Sequence, residues 1–204
     1  MVLRPFSPAR AWRPAVGARL ARTLGRMKPF PRKSEAPVNS RVSQLLQGAS
    51  FHDAWRITSG RIDRSALEHF LAAAEKTPRW VNAAMGARNR IVQLFGLKNL
   101  GALDNLDGTR QSRAYVPGDR VGIFTLFENS FDEVLLGDRD KHLDVVLSVH
   151  RRLLAGGQAV EVTLTTVVHV KNLLGRLYML PVTPAHRIIA PAVLAAIAES
   201  SNAA

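Results

Sequence analysis

Six histidines and sixteen carboxylates carry the acid–base and metal-binding capacity of this 204-residue chain, which contains no cysteine. Disulfide frameworks, thiolate zinc sites and cysteine nucleophiles are therefore excluded. His142, Asp144, His150, Glu161 and His169 crowd one stretch and, taken linearly, look like a metal or catalytic cluster. A second group, Arg176, Tyr178, His186 and Arg187, lies near the C-terminus. There His186 could move a proton near neutral pH, or it could be a hydrogen-bonded core histidine. The third candidate is Arg88, with Asn89 beside it. An arginine on an apolar helix face must be paired. It could anchor a ligand carboxylate or phosphate bidentately, form an internal ion pair with Asp53, or reach to the rim. The glycine-rich, Walker, nucleophile-elbow and zincin motifs are all absent, so no catalytic residue, metal or cofactor is assigned.

These side chains must be positioned by elements that the hydrophobic pattern defines. Phe51–Thr58 predicts a first strand. Ser65 followed by Glu68 is a capping box, which places a helix over about 66–76. Thr77-Pro78 is a second start signal, and that helix should run to Phe95 and stop at Gly96. On it Val81, Met85, Val92 and Phe95 form an apolar stripe, and Arg88 falls in its middle. Four strands are expected at 120–128, 131–137, 142–154 and 159–170, joined by connections so short that neighbours must be antiparallel. After Asn172 the period lengthens to that of a helix. A further segment starts at Thr183-Pro184, ends near Glu199 and is kinked by Pro191.

Gly156-Gly157 suits a two-residue hairpin turn. That turn pairs Arg152 with Glu161, His150 with Thr163, Ser148 with Thr165 and Asp144 with His169 on one face. Leu153, Val149, Leu147, Val145 and Leu143 then share the other face with Val160, Leu164, Thr166, Val168 and Val170. A one-residue slip would mix the two faces, so the register is well specified. The clustered histidines consequently fall on the polar face, away from the helices, where solvated cross-strand pairs compete with any metal reading.

The formal charge of +12 is concentrated at the N-terminus: residues 1–37 hold nine Lys or Arg and only Glu35 as an acid. Trp12, Val16, Leu20, Leu24 and Met27 recur there at near-helical spacing between arginines. This pattern fits an anionic membrane surface or an organelle presequence. A solvated arm, or an upstream start with Met27 nearer the true beginning, accounts for it equally. Residues 38–204 have an ordinary charge balance, with no basic reading face for nucleic acid. No window reaches the roughly 18–20 continuous apolar residues of a membrane span. A cytoplasmic location is therefore the expectation.

Three strings carry a resemblance. Trp80-Val81, Arg88-Asn89 and Leu94-Phe95-Gly96-Leu97-Lys98 form the first, and Asp140-Lys141-His142-Leu143-Asp144 the second. Thr165-Thr166-Val167-Val168, Asn172, Gly175-Arg176, Tyr178 and Pro184 to Arg187 form the third. Together they resemble the bacterial domain of unknown function family 2867, from about residue 38 onward. The resemblance implies kinship with START and Bet v 1 helix-grip folds, in which an antiparallel sheet wraps a long C-terminal helix and leaves an apolar cavity.

The expectation is thus an α+β, helix-grip-like domain over residues 38–204, with five to six strands and two helices after the first strand, preceded by a basic arm. Its expected role is binding a small apolar or amphipathic ligand between sheet and C-terminal helix, near Arg88, Asn89, Arg176, Tyr178 and His186. An enzyme in the same cavity, or an interaction module without a cavity, are the alternatives. Peripheral membrane contact is expected only through the arm.

Overall fold

In the computed structural model, which describes residues 30–94 and 111–200 without the side chains of 88–94 and 198–200, the local signals explain most of the elements. The Ser65 hydroxyl accepts from the Glu68 amide at 3.2 Å, and the Glu68 carboxylate accepts from the Ser65 amide at 2.7 Å. This capping box starts α1, Ala66–Glu75. The Thr77 hydroxyl does not cap the next helix; it donates to the Ala73 carbonyl at 3.1 Å and closes the end of α1. Helix α2 then runs Arg79–Leu94, with Val81 fully buried. The expected stop at Gly96 lies outside the described residues.

The sheet is antiparallel and has seven strands, where five to six were expected. They are β1 (Arg32–Ser34), β2 (Phe51–Ser59), β3 (Arg120–Val121), β4 (Phe124–Asn129), β5 (Glu133–Arg139), β6 (Leu143–Leu153) and β7 (Val160–Val170), in the spatial order β1-β2-β7-β6-β5-β4-β3. Both extra strands are short. β1 pairs with the outer edge of β2 from a stretch that reads as arm and linker. β3 arises because Gly122, at φ +58°, turns the expected strand 120–128 back on itself, so that Val121 faces Phe124. The β6–β7 register is the expected one, from Leu153–Val160 at the turn to Leu143–Val170. Gly156 and Gly157, at φ +95° and +68°, form its tip.

One face of this sheet meets the helices. Leu126, Leu136, Val149 and Val162 pack against Leu67 and Phe70 of α1 and against Leu194 and Ile197 of the last helix. That helix, α3, is one element spanning Leu173–Ser200, not two segments parted at Thr183-Pro184. It contains Pro181, Pro184 and Pro191, which each remove one helical hydrogen bond without ending the run. Continuity also revises the expectation about membrane spans. Leu173–Ile197 is long and apolar enough to cross a bilayer by length and composition. Its second half is nevertheless core, since Ala190, Leu194 and Ile197 are buried.

The other face of the sheet is not left to water. A 3-10 turn, Arg41–Leu45, and its flanks lie over Leu135, Val146 and Val167, with Val42 fully buried beneath them.

Candidate functional site

On β2 the side chains of Phe51, Asp53, Trp55 and Ile57 alternate onto the helix face. Asp53 is the charged member of that row and is only 8% exposed. Burial obliges its carboxylate to find donors. Oδ1 accepts from Nε2 of His186 at 3.0 Å, and Oδ2 accepts from Nε1 of Trp55 at 3.1 Å. His186 reaches the sheet because it shares a face of α3 with Ile189, Val193 and Ile197, which are all wholly or partly buried. Its ring stands edge-on to Phe51, with centroids 5.6 Å apart. The imidazole side chain stays 21% exposed, and its Nδ1 makes no hydrogen bond among the described residues.

This arrangement is a carboxylate-oriented imidazole with one nitrogen spare. Asp53 fixes the ring and favours a proton on Nε2, which leaves Nδ1 to accept from a hydroxyl or, when protonated, to donate to an anion. A group orienting His186 was not visible in the sequence, and the structure supplies it from 133 residues away. Asp53, weighed as a partner for Arg88, is bonded to His186 and Trp55 among the described residues. The side chains of Arg88 and Asn89 lie outside the described residues.

Arg176, Tyr178 and Arg187 make no hydrogen bond to this pair among the described residues. Tyr178 precedes His186 by eight positions, about 12 Å along a helix axis, and packs around Leu143, Val168 and Met179. Arg176 and Arg187 are exposed on the far side of α3.

The histidines of the polar face are less solvated than the register alone suggests. His142 is buried, with Nδ1 3.2 Å from the side-chain oxygen of Asn172. His169 donates from Nε2 to the Leu45 carbonyl at 2.9 Å, in the covering segment. Asp144 pairs with Lys171 at 2.6 Å, and Glu161 with Arg152 at 2.8 Å and Arg56 at 3.1 Å. Sequence reasoning missed Glu133, which is 6% exposed on this face. It accepts from the amides of Arg41 and Val42, at 2.6 and 3.2 Å, and from the Ser148 hydroxyl at 2.7 Å. Among the described residues no three His, Asp or Glu side chains approach closely enough to hold a metal.

Two further titratable groups have structural roles. The fully buried His69 is pushed down to about 4, chiefly by burial and then by the Arg64 and Arg151 cations. Burial works against ionisation of Glu68, but the hydrogen bonds from the Ser65 backbone, Ser112 and the Ser65 hydroxyl outweigh it and lower its pKa. Glu68 borders a shallow cleft of about 280 Å³ with Ser65, Ser112, Arg113 and Phe131.

No curated protein and no solved structure matches the chain. One family model does, over residues 45–193, which takes in the β2 strand of Asp53 and the helix of His186. By that match the chain belongs to the family described as Protein of unknown function (DUF2867).

Proposed function

We propose that the protein binds a small apolar or amphipathic ligand between β2 and α3, with the ligand's polar end at Nδ1 of His186. The observation that carries this reading is the Asp53–His186 pair: a buried carboxylate orients an imidazole whose second nitrogen is left for a partner. Phe51 and Trp55 beside it offer apolar and aromatic surface to the rest of such a molecule. A seven-stranded antiparallel sheet packed on a long C-terminal helix supports the helix-grip likeness, in which ligands lie between those two layers. Arg88 and Asn89 on α2 are proposed to hold an anionic group of the same ligand.

The oriented imidazole also favours a second reading. His186 would act as a proton-transfer group on a hydrophobic substrate in the same place, with Asp53 positioning it.

Native mass spectrometry of the purified full chain tests the first reading. Mass above 22.4 kDa, retained by the wild type and lost in His186→Ala and Asp53→Asn, is the expected result. The reading fails if the wild type carries nothing and a panel of fatty acids, sterols and aromatic acids leaves its melting temperature unchanged. Equal retention by Arg88→Leu would remove the anchor.

A further inference from the structure

The side of α3 turned away from the sheet is as apolar as the side packed on it. Leu173, Leu177, Leu180 and Ile188 are 78, 55, 69 and 64% exposed, and Pro184 lies among them. At about 100° per residue these five positions fall within one stripe roughly 80° wide. Arg176 and Arg187 fall along one edge of it, both exposed and neither with a carboxylate partner among the described residues. The helix sequence holds a single acid, Glu199, at its far end. Isolated exposed leucines are ordinary, but a continuous stripe edged by exposed cations is not.

We infer that this face of α3 lies in the headgroup region of an anionic lipid surface. An apolar stripe bordered by arginines matches the two halves of such an interface, acyl boundary and phosphate. The alternatives fit the structure less well. A membrane span would pull Ala190, Leu194 and Ile197 out of the core they fill. It would also leave the carbonyls of Leu177, Leu180 and Arg187, whose partners Pro181, Pro184 and Pro191 have no N–H, unsatisfied in hydrocarbon. In the hydrated headgroup layer those carbonyls keep water. A second copy of the chain is disfavoured by area. The stripe is about 22 Å long and about 10 Å wide, well short of the roughly 800 Å² per partner of a stable interface. The net charge of +4 on residues 38–204, outside the basic arm, pulls in the same direction as Arg176 and Arg187. This inference is independent of the ligand reading, because His186 lies on the opposite side of the helix.

The chain has no cysteine, so a single engineered thiol can be labelled cleanly. Full-length Leu177→Cys carrying an NBD fluorophore is mixed with vesicles of phosphatidylcholine and phosphatidylglycerol at 70:30, and with pure phosphatidylcholine. The same label at Gln158→Cys, on the exposed β6–β7 turn, is the control. The expected result is a blue-shifted, brighter emission at position 177, only with the anionic vesicles and not at position 158. Arg176→Glu with Arg187→Glu should lower that partitioning at least about tenfold, with unchanged circular dichroism. Vesicle binding without a spectral change at position 177 would assign it to the basic arm and overturn the inference. An emission already blue-shifted in buffer would do the same. It would point to a dimer if the mass doubles in solution and to cover by the chain itself if it does not.

Discussion

The two faces of the sheet both bury a carboxylate, and they treat it in opposite ways. On the outer face Glu133 is used up: two backbone amides and a serine hydroxyl converge on it, and together they tie the segment 41–45 to β5 and β6. On the helix face Asp53 is also engaged through both oxygens, but one of its partners, His186, has a nitrogen with no hydrogen bond among the described residues. A buried polar network whose capacity is all consumed is holding the fold together. One that ends in an unspent donor or acceptor beside exposed surface can meet something else. The difference separates a structural acid from a candidate site without appeal to residue type, and it is open to direct test.

The largest effect should come from Glu133→Ala, which strands two buried donors and one part-buried donor at once. A loss of about 3 kcal/mol in urea unfolding is expected, from the penalty of leaving buried groups unsatisfied. Ligand retention should be unchanged for whatever fraction remains folded. If Glu133→Ala abolished retention while stability held, the outer face would have to be counted as part of the site.

His69 tests the helix face through pH. Its folded pKa of about 4 lies below the ordinary 6.5, so the unfolded chain binds the proton first as pH falls. Stability should be flat above about pH 6.5, decline between 6.5 and 4, and level off below that. The drop from pH 7 to pH 5 should be about 2 kcal/mol from this group. His69→Leu should flatten that part of the curve. An unchanged slope would mean that His69 is charged in the folded state, and that the helix-face interior tolerates a cation without a partner.

Asp53→Asn separates the two carboxylates most directly. The amide keeps the shape of the carboxylate and an acceptor for Trp55 but loses the charge that orients His186. About 1–2 kcal/mol of stability should go, less than for Glu133→Ala. Retention of any bound molecule should fall further than stability does. Losses in step would make the pair purely structural, the helix-face counterpart of Glu133.

Which of these groups can be read from the sequence follows from how each is built. The β6–β7 register is legible because a glycine pair and eleven alternating residues on each side admit only one pairing that keeps the faces apart. The capping box of α1 is legible because both partners lie within four residues. β1 and β3 are not, since three and two residues carry no period. The continuity of α3 is hidden by its prolines, whose lost hydrogen bonds are offset by packing of the second half. Asp53 and His186 are each conspicuous as polar residues on apolar faces, yet 133 positions part them and no local rule pairs them. Glu133 is hidden differently: its main partners are backbone amides, which have no signature in a sequence.

The smallest expected effect lies on the same outer face as the largest. Glu161 bridges Arg152 and Arg56 across three strands, at 2.8 and 3.1 Å, but both arginines stand well out in water. Solvent screening and the freezing of long side chains offset the attraction. Arg152→Ala should therefore cost less than about 0.5 kcal/mol, and that remainder should vanish in high salt. Glu133 and Glu161 are both acids on the outer face with two or more partners each, and they differ chiefly in those partners, amides and a serine for Glu133 and exposed arginines for Glu161. A cost near that of Glu133→Ala would show that the polar pairs, rather than the burial of Glu133, determine how firmly this face is held.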